Sequence, residues 1–159
     1  MTGKIEPILV DPDWRNTYTI IGFCGIAPDT KAFSYVLRNG TNNAANFSET
    51  VIRMVASGFL RRGDVLVLDN AAIHHYREST NLGNYLWNEH GILLTFLPTR
   101  APELNPIELM WHILVQRLKN VELIGHVQLP HQAATAAAII MNGFTHLDVH
   151  SCYRNSGYL

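Results

Sequence analysis

The sequence predicts an α/β domain with helices packed against a mixed sheet. Three observations carry that expectation. "DVLVLDN" and "ILLTFLP" are apolar runs of strand length with a helical stretch between them. "YTIIGFCGIA" and "AFSYVLRNG" follow one another closely and read as a hairpin pair. From Asn105 onward the apolar positions recur at helical spacing, and no further strand pattern interrupts them.

Residues 1–17 contain Pro7, Pro12 and Asn16 and read as an irregular lead-in. In "YTIIGFCGIA" β-branched and aromatic residues dominate, and "PDT" ends the strand. "AFSYVLRNG" alternates roughly and closes on the turn signal Asn39-Gly40. A helix is expected from near Asn43, with Phe47, Val51, Met54, Val55 and Gly58 on one face. "DVLVLDN" is the strongest strand, and its four consecutive apolar residues predict burial on both faces. Residues 77–89 make a weaker helix with Leu82, Tyr85 and Leu86 inward and Gly91 as its stop. "ILLTFLP" reads as another buried strand, ended by Pro98. The next helix begins at Asn105 and carries a core stripe of Ile107, Met110, Trp111, Leu114 and Leu118. "HQAATAAAIIMNGF" is alanine-rich and helix-forming, and a last helix starts at Thr145, where Asp148 can complete a capping box.

All 159 residues fit one domain, with a core over residues 18–120 and C-terminal helices over 121–159. The first two strands look like part of an antiparallel meander with no strong strand before them. The sheet is therefore expected to lack its first strand. Hydrophobic residues make up 47% and charged residues 16%, enough for a real core. The net charge of -1 gives no broad field for nucleic acid, so any such contact must be local. Arg61 with Arg62, and Arg117 with Lys119, are the close basic pairs; solvated surface charge is the preferred reading of both, ahead of phosphate contact. Cys24 and Cys152 make neither a disulfide framework nor a zinc pattern. No apolar run is long enough to span a bilayer and no signal peptide is recognisable, so an intracellular location is expected. There is no Gly-rich phosphate loop and no Gly-x-Ser-x-Gly turn, which disfavours other nucleotide-binding or hydrolytic α/β classes.

Two carboxylates stand out. Asp69 leaves the central strand at its carboxyl end, where ligands bind in open α/β sheets. Asp-Asn also simply favours a turn there. Glu108 falls at the third position of the helix that begins "NPIE", where a capping box with Asn105 accounts for it without chemistry. If the strands "DVLVLD" and "ILLTFLP" end on the same edge, the two carboxylates converge. Convergent carboxylates suit hard cations such as Mg²⁺, and a metal pair can activate a nucleophilic oxygen and stabilise a leaving oxygen.

The phrases "VLVLDNAAIHH" and "GILLTFLPTRAPELNPIELMW" resemble the catalytic core of mariner-type DNA transposases. Those enzymes have a ribonuclease-H-like fold and an Asp-Asp-Glu/Asp triad. Both family phrases occur in order, with 38 residues between positions 69 and 108, and the likeness extends loosely over residues 18–120. The resemblance implies that Asp69 is the second triad carboxylate and Glu108 the third, while Glu103 is not a triad member. It implies Mg²⁺ or Mn²⁺ as cofactor, cleavage of DNA at transposon ends, and attack of the freed 3′-hydroxyl on target DNA. It also implies a homodimer in an active form, no membrane, and a nuclear location in a eukaryote or a cytoplasmic one otherwise. The first triad Asp is not secure. Either the chain is truncated before it, or Asp11 serves as the third ligand, with Asp13 a weaker stand-in. Asn70 and His74 are candidate supporting residues, whereas His75 reads as a surface histidine. An inactive relic or a domesticated nucleic-acid- or protein-binding module stays open as the second reading.

Overall fold

The computed structural model describes residues 2–5, 18–69, 76–122 and 130–159. Its strands are β1 (Thr2–Ile5), β2 (Tyr18–Cys24), β3 (Phe33–Asn39), β4 (Val65–Leu68) and β5 (Leu93–Phe96). They form one sheet in the order β3-β2-β1-β4-β5. The β2–β3 hairpin pairs from Tyr18↔Asn39 to Cys24↔Phe33. Its side chains alternate: Ile20 and Cys24 enter one core, Ile21 and Phe23 the other.

β1 corrects two expectations: Thr2–Ile5, within the stretch read as an irregular lead-in, is a strand, and the sheet does not lack a strand before the β2–β3 hairpin. β1 lies at the centre of the sheet, antiparallel to β2 from Thr2↔Phe23 to Ile5↔Ile20. On its other side it runs parallel to β4, through Thr2↔Leu68. "TGKI" carries little strand signal of its own, so pairing on both sides makes this strand, not local propensity.

The helices are α1 (Ala44–Ala56), α2 (Tyr76–Tyr85), α3 (Pro106–Glu122), α4 (Pro130–Asn142) and α5 (His146–Asn155). Asn43 caps α1, its side chain accepting from the Asn46 N–H at 2.9 Å. The expected capping box at Thr145 and Asp148 is present at the start of α5. α2 runs on into a π-helical turn, Leu86–His90, and Gly91 stops it in the left-handed conformation at φ 64°. Leu82 and Leu86 point inward as expected, but Tyr85 is exposed, its hydroxyl 3.1 Å from His90 Nε2.

Two cores sandwich the sheet. Met110, Trp111, Leu114 and Leu118 of α3 pack on one face together with α4 and α5. Phe47, Val51 and Met54 of α1 pack on the other, with Leu82 and Leu86. β4 is buried on both faces only in part, because Leu66 and Leu68 are covered while Val65 is exposed. β5 is the sheet's edge, and Leu93 and Phe96 are correspondingly exposed instead of buried. No described helix is long and apolar enough to cross a membrane.

Candidate functional site

β4 and β5 run parallel in register from Val65↔Leu93 to Leu68↔Phe96, so both end on the same edge. The ladder continues one step, with the Leu97 N–H donating to the Leu68 carbonyl at 2.8 Å. Asp69 therefore leaves β4 beside the point where the chain leaves β5. From there the chain turns through Pro98–Ala101 and a single 3-10 turn, Pro102–Leu104, into α3. That path returns Glu108 to the same edge. Asp69, Arg100, Asn105 and Glu108 all line one cavity of about 340 Å³.

The anchoring of α3 is apolar. Ile107, Met110, Trp111, Leu114 and Leu118 are all buried, the stripe expected from sequence. Trp111, less than one turn beyond Glu108, meets Phe33 edge to face at 5.7 Å between ring centroids. Burial of this face fixes the height and rotation of the helix, and with them the Glu108 backbone.

The capping box proposed for Asn105 and Glu108 is not formed. Asn105 is buried, yet its Oδ1 has no hydrogen-bond partner. The side chains that do cap, Asn43 and Thr145, sit at ψ 174° and 166°. Asn105 sits at ψ 98°, because it also closes the preceding 3-10 turn through its N–H to the Pro102 carbonyl. At that angle the helix start is satisfied from the backbone, the Glu108 N–H donating to the Asn105 carbonyl at 3.0 Å. The Glu108 carboxylate is thus left without a structural partner among the described residues. Its proton affinity is raised above the ordinary range, first by burial and then by the negative charge of Asp69.

Two carboxylates that disfavour each other's ionisation form a site that a cation relieves. The donors are all hard oxygens: Asp69, Glu108 and the unpartnered Asn105 Oδ1. That set fits Mg²⁺ or Mn²⁺ and does not fit a thiolate- or imidazole-seeking metal. Among the described residues, no group of three or more His, Cys, Asp or Glu side chains is gathered for a metal. β1, next to β4, contributes Thr2, Gly3, Lys4 and Ile5 and no carboxylate. Asp11, Asp13, Asn70, His74 and His75 lie outside the described residues. Glu103 is exposed in the 3-10 turn. Burial pushes the Cys24 and Cys152 thiols up to about 11, which excludes both as nucleophiles near neutral pH.

Sequence reasoning missed two cavity residues. The sequence pattern accounts for Asn105 as a cap, and Arg100 carries no signal of its own in "LPTRAPELNPIE". Residues 2–128 match the family model described as DDE superfamily endonuclease. No curated protein matches the chain.

Proposed function

The chain belongs to the DDE superfamily endonuclease family, and from that premise we propose that it is a mariner-type transposase catalytic domain that cleaves and transfers DNA strands with a divalent metal. A transposase or endonuclease role in general follows from the family. The observation that carries the finer reading is the convergence of Asp69 and Glu108 in one cavity, with the Glu108 carboxylate free of the helix cap. The strand order β3-β2-β1-β4-β5, with β2 antiparallel to both β1 and β3 and with β1, β4 and β5 parallel, supports a ribonuclease-H-like reading.

In this mechanism Asp69 and Glu108 would hold the metal at the sheet edge, and Asn105 Oδ1 would add a neutral oxygen. Mg²⁺ or Mn²⁺ held there would supply Lewis acidity toward the attacking oxygen and the leaving 3′-oxygen of a phosphodiester. Glu108 must give up its proton for the site to load, so its raised proton affinity couples loading to pH. Trp111 and the rest of the α3 stripe keep the carboxylate from drifting, which matters because misplacement of about 1 Å can cost 100-fold in rate. The substrate class is DNA, at transposon ends and target, and synapsis of two ends calls for two copies of the domain.

Calorimetric titration with Mn²⁺ tests the site. Wild type should bind, and both Asp69→Asn and Glu108→Gln should lose more than about tenfold in affinity, since loss of a residue that only supports a metal ligand already costs about that much. If Glu108→Gln retains normal metal-dependent cleavage of a DNA end, the catalytic assignment is wrong.

The composition of β1 favours a second reading, a relic or domesticated binding module, because "TGKI" supplies no first carboxylate. Robust cleavage of a DNA end by this chain in Mn²⁺ would remove that reading.

A further inference from the structure

We propose that Arg100 grips a backbone phosphate of the DNA strand that crosses the Asp69–Glu108 cavity. The proposal rests on the nucleic-acid substrate of the proposed function and adds to it a residue that positions the strand.

Arg100 lines the same cavity as both carboxylates. It adopts φ 61°, and every other described residue with positive φ is a glycine: Gly40, Gly58, Gly63, Gly91 and Gly157. The left-handed region is disfavoured for a side chain with a Cβ, and arginine lacks the short polar group that lets Asn or Asp bond locally there. The turn itself is required, because it carries the chain from the end of β5 toward the helix of Glu108. Glycine would make that turn without strain. Arginine at this position therefore has its rationale in the side chain, an inference from an observed outlier toward function.

The side chain is also uncommitted. Arg38, Arg53, Arg61 and Arg117 each pair with a carboxylate. Arg100 is exposed and pairs with none among the described residues, although two carboxylates share its cavity. Nor does it offset Glu108, whose proton affinity is driven upward by burial and Asp69. A free guanidinium at the rim and a metal between the carboxylates would present two successive positive centres. A phosphodiester strand offers negative charges at regular intervals, and guanidinium matches phosphate oxygens through paired N–H donors. With a net charge of -1, the chain has no general field to hold DNA, so a placed cation of this kind carries weight.

The decisive variant is Arg100→Gly, which deletes the cation and relieves the backbone. Its melting temperature and Mn²⁺ affinity should equal or exceed those of wild type. Its affinity for a fluorescein-labelled random-sequence DNA duplex, read by anisotropy in Mn²⁺, should fall severalfold. The slope of log affinity against log salt should drop by about one, the signature of one lost phosphate contact. Arg100→Lys should keep the slope. Wild-type DNA affinity and slope in Arg100→Gly would overturn the proposal, and so would a loss of affinity at unchanged slope. A wild type that binds Mn²⁺ but not DNA overturns the phosphate contact and leaves the metal site standing. A wild type that binds neither overturns both.

Discussion

The indole of Trp111 rests directly against the α-carbon of Gly22. A Cβ placed on Gly22 would collide with the far edge of that ring, lying 2.8 Å from Cζ2 of Trp111 and 2.9 Å from Cζ of Phe33. Only a residue without a side chain lets α3 approach β2 this closely. The contact ties β2 to the helix that carries Glu108.

Gly22→Ala should therefore act twice. Overpacking a filled core costs about 1–3 kcal/mol, so the unfolding free energy read from urea titration should fall by that amount. The ring cannot yield without moving α3, so Mn²⁺ affinity should drop as well, although Gly22 lies outside the cavity. A variant that loses stability but binds Mn²⁺ normally would show that the Trp111 contact does not set the carboxylate's position.

Glu108 gives a pH prediction with a definite sign. Its folded proton affinity lies above the unfolded value, because burial and Asp69 both oppose ionisation. The folded state thus holds this proton more tightly than the unfolded chain. The stabilisation is complete below the unfolded pKa of about 4.3 and disappears as pH rises through the folded value. Wild type measured against Glu108→Gln across that window should lose relative stability as pH rises. Saturating Mn²⁺ should reverse the trend, since the cation favours the ionised pair. A flat difference in urea midpoint between the two proteins from pH 4 to neutrality, on the order of experimental error, would contradict the coupling.

The start of α5 is held by charge and capping together. Thr145 Oγ1 accepts from the Asp148 N–H at 3.2 Å, and Asp148 Oδ2 accepts from the Thr145 N–H at 2.9 Å. Arg117 of α3 donates to Asp148 Oδ1 at 2.8 Å and lies 5.3 Å from the centre of the Phe144 ring. Burial alone would raise the Asp148 proton affinity, but the Thr145 hydrogen bonds and Arg117 outweigh it, and the net direction is downward. Its contribution is present above the unfolded carboxylate range and is lost as pH falls through the lowered folded value. Thr145→Ala should cost about 1 kcal/mol, a typical cap loss. A double-mutant cycle between Arg117→Ala and Asp148→Asn should return under about 1 kcal/mol, as expected for a partly exposed pair. A coupling of several kcal/mol would mean the pair is far better shielded from water than its exposure indicates.

Much of this architecture was legible because it is periodic. The stripe of Ile107, Met110, Trp111, Leu114 and Leu118, the helix start near Asn43 and the cap at Thr145 follow from spacing within a single element, and the β2–β3 hairpin from two adjoining ones. What spacing could not reveal depends on neighbours. β1 exists because β2 and Leu68 pair with it, and "TGKI" alone carries no such information. The position of β5 at the edge follows from strand order, so an apolar run that reads as buried is half exposed. The convergence of Asp69 and Glu108 was legible only as a condition on where two strands end. The failed cap at Asn105 turns on one backbone angle, set by the 3-10 turn before it.

Asn105 is where that last difference can be measured. A residue that caps a helix costs about 1 kcal/mol or so when removed. Asn105 makes no side-chain hydrogen bond through Oδ1, so Asn105→Ala should cost little of that kind and should instead weaken Mn²⁺ binding. Asn105→Asp is the sharper variant. It puts a third carboxylate beside Asp69 and Glu108 at a position only 2% exposed. Without metal, near neutral pH, an uncompensated buried charge should lower stability by about 3 kcal/mol or force the new group to stay protonated. With Mn²⁺ the same charge becomes a further hard-oxygen ligand, so both stability and Mn²⁺ affinity should rise above those of Asn105→Ala. Thermal melts with and without Mn²⁺ separate the outcomes. If Asn105→Asp is as stable as wild type without metal and gains nothing from Mn²⁺, then Asn105 does not face the carboxylate pair.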